Sequence, residues 1–356
     1  MRTADVQQLG MFSYVSVEAR VPADHPIRKL RVLVDGILAE MDSVFEARYA
    51  KTGRPSIPPE RLLRASLLQV VYSVRSERQL MEQLDYNLLF RWFVGLNIDD
   101  PVWDHSTFSF NRDRLFDEEV AQHFFDHTVL VAQIKHLVSS EHFSVDGTLL
   151  EAWASHKSFR PKDGDDSDDD FHGQQRSNDT HESTTDPDAR LMKKGKGKEA
   201  KLSYQASTLM ENRNGLLVAV DVRRATGRSE RDGALSMVDE MLLGEGCTLG
   251  ADKGYDTRDF VQALQERGIA PHVARNLSGR NSAVSDRIAA SKGYAISQRV
   301  RKRIEQPYGW GKTIGGLRKL MRIGLTSVRA WVVWSFAAYN LIRIGGIEAW
   351  WHPSPT

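Results

Sequence analysis

Three acidic residues, far apart along the chain, stand in settings that suit the binding of a cation. Asp146 lies in an alternating, strand-like segment, HFSVDGTLLEAW, and Asp252 ends a short apolar run, CTLGAD. Glu305 is spaced from Arg301 and Lys312 so that all three share one face of a helix. A buried aspartate is costly unless it is paired or binds a cation, so these acids indicate a paired or cation-binding site.

The Glu305 segment also has an ordinary explanation. A glutamate with an arginine four residues before it is a common solvent-exposed pair, and such pairs contribute only about 0.3–0.5 kcal/mol. Pro307 is expected to kink or end the helix just after Glu305, which would take Lys312 off the shared face. The functional interpretation of Glu305 therefore depends on the other two acids.

Composition predicts a soluble globular protein. The 356 residues are 41% hydrophobic, enough for two domains or for one domain with a large insertion. The 48 basic and 47 acidic residues leave a net charge of +1, so nucleic acid would have to bind at local basic faces. The single cysteine, Cys247, indicates a reducing cytoplasm. The apolar segment 330–344 contains Arg343 and is too short to cross a membrane.

Changes in periodicity divide the chain into two predicted domains. Residues 1–135 carry helical patterns and are predicted to form an all-α N-terminal domain. Residues 140–347 alternate strand and helix patterns and are predicted to form an α/β domain with a mixed sheet. Between about 157 and 200 the composition becomes acidic, then polar, then lysine-rich, which predicts a disordered insertion.

The helical domain contains a weak signal for DNA recognition. Ser76, Asn87 and Ser106 are predicted N-caps of successive short helices, and the helix after Ser106 carries Arg112 and Arg114. This pattern permits a helix-turn-helix-like DNA reader. The ordinary alternative, which the pattern alone favours, is that both arginines are solvated charges on a bundle helix.

The order of elements in the second half predicts how the acids meet. An Asn214-Gly215 pair between two apolar runs predicts a β-hairpin. The full order, β-β-β-α-β-α-β-α, matches the mixed sheet of ribonuclease-H-like domains. In that sheet the first strand lies beside the fourth, which would place Asp146 near Asp252, and the last helix would bring in Glu305.

A site built from three carboxylates suits two-metal phosphoryl chemistry. That chemistry requires oxygen ligands that hold two divalent ions about 3.5–4 Å apart. Mg²⁺ fits because it prefers oxygen and keeps waters that substrate phosphates can displace, and Mn²⁺ is expected to substitute for it. One ion activates water or a 3′ hydroxyl, and the other stabilises the leaving oxygen, so no histidine base is needed.

Three segments resemble the signature of the DDE transposases of bacterial insertion sequences, in the group named after insertion sequence five. They are FSVDGTLLEAWAS, LGADKGYDT and RKRIEQPYGWGK, and the similarity extends to the helical region, the polar insertion and the closing SFAAYNLIR. The resemblance implies that Asp146 and Asp252 are the first two metal-binding acids and Glu305 the third. It also implies that Arg301 and Lys312 contact the DNA end.

One position departs from the family pattern. The signature often has a tyrosine three residues before the arginine, where this chain has Gln298, and Tyr294 lies one turn earlier. Nothing in the predicted metal site depends on that tyrosine. Cations near the acids are predicted to form a phosphate-binding rim with Arg301 and Lys312: Lys253, Arg275, Arg299 and Arg303.

The resemblance implies a transposase with a DNA-binding domain at residues 1–135 and a catalytic domain at residues 140–347. The first would bind the terminal inverted repeats of the element, and the second would cleave each end and transfer the strand to target DNA. Two ends must be handled together, so a homodimer is expected, in the bacterial cytoplasm and associated with the nucleoid. Two alternatives stay open at this point. One is a domesticated, catalytically silent regulator that only binds DNA, and the other is a ribonuclease-H-like nuclease without strand transfer.

Overall fold

The computed structural model describes residues 15–49, 56–162, 177–193, 195, 197–278 and 281–351. In chain order, the α-helices in these ranges are α1 (Val17–Arg20), α2 (Pro26–Glu40), α3 (Asp42–Glu46), α4 (Pro59–Val71), α5 (Glu77–Tyr86), α6 (Leu88–Val94), α7 (His105–Leu115), α8 (Glu118–Ile134), α9 (Ser229–Glu240), α10 (Arg258–Glu266), α11 (Asp286–Ala289), α12 (Lys292–Val300), α13 (Glu305–Thr313) and α14 (Leu325–Ile347). The strands are β1 (His142–Glu151), β2 (Phe159–Pro161), β3 (His181–Ser183), β4 (Arg190–Lys193), β5 (Ala200–Glu211), β6 (Leu217–Arg224), β7 (Thr248–Ala251) and β8 (Ala270–Val273). Short 3-10 turns span His156–Ser158, Lys253–Tyr255 and Arg301–Ile304.

The main sheet is mixed, with β1 at its centre. Strand β5 pairs with β1 on one side and runs antiparallel to it, and β6 pairs with β5 in the same sense. On the other side β7 is parallel to β1, and β8 is parallel to β7. This arrangement confirms the predicted ribonuclease-H-like fold. The predicted contact between the first and fourth strands is the one between β1 and β7.

The turn between β5 and β6 is held by a buried glutamate. Glu211 accepts hydrogen bonds from the backbone N–H groups of Arg213 and Asn214, both at 2.8 Å. Gly215 has φ +72°, a conformation that residues with a side chain rarely adopt. The predicted hairpin is therefore confirmed, and its turn is fixed by a side chain as well as by glycine.

Helix α14 forms the centre of the core beside the sheet. It packs against α8 and β6, and its residues from Ala330 to Leu341 are all buried. Such all-round burial explains why this segment is apolar on every face. Within the described ranges no helix has both the length and the apolar character needed to cross a membrane.

A buried amide links α14 to the start of β6. Asn340, 1% exposed, accepts a hydrogen bond from the Leu217 N–H at 2.9 Å and donates one to the Leu217 carbonyl at 2.7 Å.

We expect Asn340→Leu to lower the free energy of unfolding by about 2–4 kcal/mol, because both backbone groups of Leu217 lose a buried partner. Urea unfolding measures the change. The control is Ser335→Ala on the same helix, which removes one buried hydroxyl and is expected to cost less. An Asn340→Leu loss no greater than that of the control would contradict the prediction.

The polar insertion is partly folded, which corrects the prediction of a disordered segment. In its described part β2 pairs with β3, and β4 joins the main sheet along β5. Asp186 is fully buried and accepts a hydrogen bond from the Tyr204 hydroxyl at 2.6 Å. A polar sequence can be ordered in this way because its backbone extends an existing sheet, and backbone pairing does not depend on apolar side chains. Residues 163–176, 194 and 196 lie outside the described part of the chain.

Two of the three predicted helix caps are confirmed. The side chains of Ser76 and Asn87 cap α5 and α6 as predicted. The prediction for Ser106 was wrong: α7 begins at His105, and its N-cap is Asp104, which accepts from the Ser106 N–H at 2.8 Å. Aspartate and serine are about equally good caps, so their order in the sequence did not decide between them.

Candidate active site

Asp146 and Asp252 lie on neighbouring strands of the sheet. Ser144 of β1 pairs with Gly250 of β7, and each aspartate comes two residues later: Asp146 within β1 and Asp252 directly after the end of β7. Asp146 Oδ1 accepts from the Gly147 N–H at 2.8 Å, and Asp252 Oδ1 accepts from the Gly254 N–H at 2.6 Å. Strand pairing therefore places the two predicted aspartates side by side.

Each aspartate is followed closely by a glycine that leaves room beside it. A Cβ atom on Gly254 would lie 2.9 Å from Asp252 Oδ1. A Cβ atom on Gly147 would lie 2.4 Å from Gln205 Nε2 and 2.8 Å from Glu230 Oε1. Both contacts are too close for a carbon side chain, so the sequences Asp-Gly and Asp-Lys-Gly reflect crowding of polar groups around the acids.

The environment of Asp146 favours its protonated form. Burial raises the pKa of this carboxyl to about 7, and the charges of Glu230 and Asp252 act in the same direction. The Gly147 N–H and the Arg301 guanidinium act in the opposite direction but do not cancel the effect. A divalent cation would relieve the same repulsion that the proton relieves.

This raised pKa predicts a pH-dependent stability of the metal-free protein. From pH 4 to pH 7 folded Asp146 keeps a proton that the unfolded chain, with a pKa near 3.8, has lost, so its contribution to stability falls as the pH rises. We expect Asp146→Asn to be about as stable as wild type at pH 4 and about 2–4 kcal/mol more stable at pH 8. Chemical unfolding in a chelating buffer tests this, and a difference that is constant with pH would contradict it.

The helix that carries Glu305 is broken before this residue, not after it. Residues Arg301–Ile304 form a 3-10 turn, and α13 begins at Glu305. The prediction that Pro307 ends or kinks the helix was wrong, because Pro307 is the third residue of α13, where a backbone N–H has no helical partner to lose. Lys312 consequently stays on the same helix as Glu305.

Helix α13 is fixed to β1 beside Asp146. The Tyr308 hydroxyl donates to the Asp146 carbonyl oxygen at 2.5 Å and accepts from Thr208 Oγ1 at 2.9 Å. Lys312 Nζ donates to Thr148 Oγ1 at 2.5 Å. These contacts place the helix along the strand, on the side that carries the candidate acids.

Glu305 and Glu230 differ in their relation to the aspartates. The charges that act most strongly on Asp146 are those of Glu230, Asp252 and Arg301, whereas Glu305 is exposed at the start of α13. Within the described ranges no three His, Cys, Asp or Glu side chains are close enough together to hold one metal ion. The convergence of Glu305 with the aspartates thus remains a prediction. Glu230 was missed, although its place in the first turn of the helix after β6 was a usable signal.

Two cations of the helical domain have different surroundings. Arg112 is 5% exposed and pairs with Glu77 and Asp113, which corrects the prediction that it contacts DNA. A guanidinium buried against two carboxylates holds helices together and cannot reach a phosphate. Arg114 is exposed, with its guanidinium 5.0 Å from the centre of the Tyr49 ring.

Gln298, which stands where the family pattern often has a tyrosine, makes two hydrogen bonds through its side chain. Gln298 accepts from Arg301 Nε at 2.8 Å and donates to the His272 carbonyl at 2.5 Å. It therefore orients Arg301 relative to β8. The Tyr294 hydroxyl donates to the Val273 carbonyl on the same strand, at 3.0 Å. Both side chains serve to fix α12 on the sheet.

The other predicted rim cations are divided between structural and exposed positions. Arg303 donates to the carbonyls of the β5–β6 turn, and Arg275 pairs with Asp286 at 2.9 Å. Lys253 and Arg299 are exposed. Exposed cations are available to phosphates, so Lys253 and Arg299 remain candidates for DNA contact.

A basic groove that the sequence did not predict begins where α13 ends. This cleft of about 980 Å³ lies between residues 69–77, at the end of α4, and residues 313–322. Four cations line it: Arg75, Arg318, Lys319 and Arg322. Strand β1 links the groove to the acids, because the Glu151 carbonyl accepts from the Leu320 N–H at 2.9 Å. At about 3.3 Å per residue, Asp146 lies about 16 Å from that contact.

Comparison with known proteins gives matches along most of the chain. Residues 15–114 match a family described as a transposase domain, and residues 140–341 match the transposase DDE domain. None of the curated proteins matches.

Solved transposase complexes are only distantly similar. A cryo-EM structure of a piggyBac transposase synaptic complex with hairpin DNA is 9% identical, with a TM-score of 0.43 over 93% of this chain and 77% of that one. A crystal structure of a pre-cleavage Mos1 transpososome is 10% identical, with a TM-score of 0.19 over 86% of this chain and 84% of that one. The DDE-domain match covers more than half of the sequence, so the chain belongs to the DDE transposase family.

Proposed function

We propose that this protein is the transposase of a bacterial insertion sequence of the group named after insertion sequence five. It binds the terminal inverted repeats of the element, cleaves DNA strands at each end and joins the freed 3′ ends to target DNA. The observation that carries the proposal is the position of Asp146 on β1 and of Asp252 directly after the adjacent parallel strand β7, inside a domain that matches the DDE family.

The acids fit the divalent ions that the family implies. Burial raises the pKa of Asp146, and the nearby carboxylates of Glu230 and Asp252 raise it further, so carboxylate oxygens of the kind that divalent ions prefer lie close together. Asp146, Asp252 and Glu305 would hold two Mg²⁺ ions, or Mn²⁺ in their place. Bound there, the ions would activate the attacking oxygen and stabilise the leaving one.

The remaining residues of the site would position the DNA. Arg301 is oriented by Gln298, and Lys312 lies on α13 beyond Glu305, so both can bind phosphates next to the scissile bond. Lys253 follows Asp252 directly and is exposed. Tyr308 acts through the backbone: its bond to the Asp146 carbonyl keeps α13, and with it Glu305, beside the strand.

We further propose that the helical region recognises the inverted repeats and that two copies of the chain bring the two ends together. Support for the first point is the match of residues 15–114 to a transposase domain, and Arg114 is an exposed cation in that region. Support for the second is the requirement to process two DNA ends in one event. The reaction would take place in the bacterial cytoplasm, on nucleoid DNA.

The test uses a DNA fragment taken from one side of the coding region, including any short inverted repeat found there. The purified chain is incubated with this fragment and a labelled target plasmid, with Mg²⁺, with Mn²⁺ or with a chelator. Metal-dependent nicking at the repeat followed by joining to the plasmid supports the transposase. Cleavage without joining would identify a nuclease, and binding without cleavage would identify a DNA-binding regulator.

A further inference from the structure

Glu230 is an acid beside the catalytic aspartates that the DDE signature segments do not include. It is the second residue of α9, and its Cγ and Oε1 atoms both lie 2.8 Å from the position that a Cβ atom on Gly147 would occupy. Because Gly147 follows Asp146 in β1, the glutamate is held against the strand at the candidate site.

Two glycines permit this close approach. Gly147 gives space on the strand, and Gly233, one turn after Glu230, gives space on the helix, where a Cβ atom would lie 2.7 Å from Asp221 Oδ2. Helix α9 therefore lies close to the sheet at both ends of its first turn. The space left by the two glycines is thus filled by polar side chains, with the Glu230 carboxylate against β1.

The Glu230 carboxylate has little internal compensation for its charge. Burial raises its pKa, and the charge of Asp252 raises it further. No residue in the described part of the chain forms an ion pair with it. The Gly147 N–H, the charge of Arg231 and the N-terminus of α9 favour the carboxylate, but its pKa stays raised. The Tyr255 hydroxyl, 1% exposed, faces this carboxylate and also lowers its pKa, although the two groups do not meet in a well-formed hydrogen bond.

We propose that Glu230 is a positioning acid for the divalent cation, acting from outside the direct ligand set. The described carboxylates are too far apart for three of them to hold one ion, so Glu230 would act by its charge and by accepting hydrogen bonds from the hydration shell, which Mg²⁺ gives up reluctantly. The Tyr255 hydroxyl, which faces Glu230, would complete the same shell. This inference rests on the proposed cation site of Asp146 and Asp252.

The test measures the affinity of the DNA-free, full-length protein for Mn²⁺ by the decrease of the free-ion electron paramagnetic resonance signal. Glu230→Gln keeps the size of the side chain and removes its charge, and we expect affinity about 10–100-fold weaker than wild type. Glu230→Asp keeps the charge but withdraws the carboxylate, and we expect an intermediate value. Asp232→Asn, an exposed acid in the same turn of α9, is the matched control and should bind Mn²⁺ as wild type does.

The outcomes separate this inference from the proposed function. If Asp146→Asn weakens Mn²⁺ binding and both Glu230 variants bind as wild type, the role of Glu230 is refuted and the aspartate site stands. If Asp146→Asn also binds as wild type, the cation site is refuted and the inference with it. Melting temperatures in chelating buffer show that each variant is folded, and should Glu230→Gln fail to fold, Glu230→Asp decides the question.

Discussion

Asp146→Asn and Asp252→Asn are each expected to reduce metal-dependent strand cleavage by about a thousandfold or more while leaving DNA binding within a fewfold of wild type. The two carboxylates stand side by side on β1 and β7, and an amide keeps the shape of each side chain but cannot supply a charged ligand. Cleavage of a labelled DNA end under single-turnover conditions gives the rate, and a gel-shift titration gives the affinity.

The control for this prediction is Asp259→Asn, which removes an exposed carboxylate from the first turn of α10 and should cleave at the wild-type rate. Asp146→Asn should fold at least as well as wild type at neutral pH, since it removes a buried carboxyl whose pKa is raised to about 7. Lost activity in this variant therefore cannot be attributed to unfolding. Cleavage by either aspartate variant at more than a tenth of the wild-type rate would refute the site.

Glu305→Gln distinguishes the two glutamates. If Glu305 joins the aspartates when DNA binds, this variant should lose cleavage as completely as the aspartate variants, although it should bind Mn²⁺ without DNA nearly as wild type does. Glu230→Gln is expected to show its defect already in the absence of DNA. If Glu305→Gln and Glu230→Gln showed the same loss of cleavage and the same loss of Mn²⁺ affinity, the prediction that the two glutamates have different roles would be contradicted.

The parts of the fold that were predictable are those set by local sequence and chain order. The Asn214-Gly215 turn, the short strand just before Asp252 and the order of elements together imply the sheet, and the sheet implies that Asp146 and Asp252 lie near each other. Pairing of parallel strands is fixed by topology, so these two residues required no knowledge of side-chain packing.

What could not be predicted depends on tertiary contacts. Glu230 approaches Asp146 because Gly147 and Gly233 leave room for α9, and neither glycine shows this in the sequence. Arg112 has the same type and spacing as an exposed cation, and only its own burial beside Glu77 shows that it is structural. The insertion is polar in composition, yet part of it extends the sheet, because backbone pairing does not require apolar side chains.

The basic groove gives the second large prediction. Arg318→Gln combined with Lys319→Gln should weaken binding of duplex DNA by about 10-fold or more at low salt, because both exposed cations line a cleft joined to β1. If each of them neutralises one phosphate, the slope of log affinity against log salt should become shallower by about 1.8. Affinities are measured by fluorescence anisotropy from about 50 to 200 mM salt, the range over which phosphate contacts dominate the change.

The matched control changes the net charge equally at another surface. Lys29→Gln combined with Lys135→Gln removes two cations from a cleft between α2 and α8 that shares no lining residue with the basic groove. This variant should keep the wild-type slope of log affinity against log salt. Salt screens charges that lie more than about 10 Å from the DNA, so two cations lost from a distant surface have little effect on binding. Equal losses of affinity in the two double variants would show that net charge and not the groove attracts DNA. An unchanged slope in the groove variant would exclude residues 318 and 319 from the DNA-binding surface.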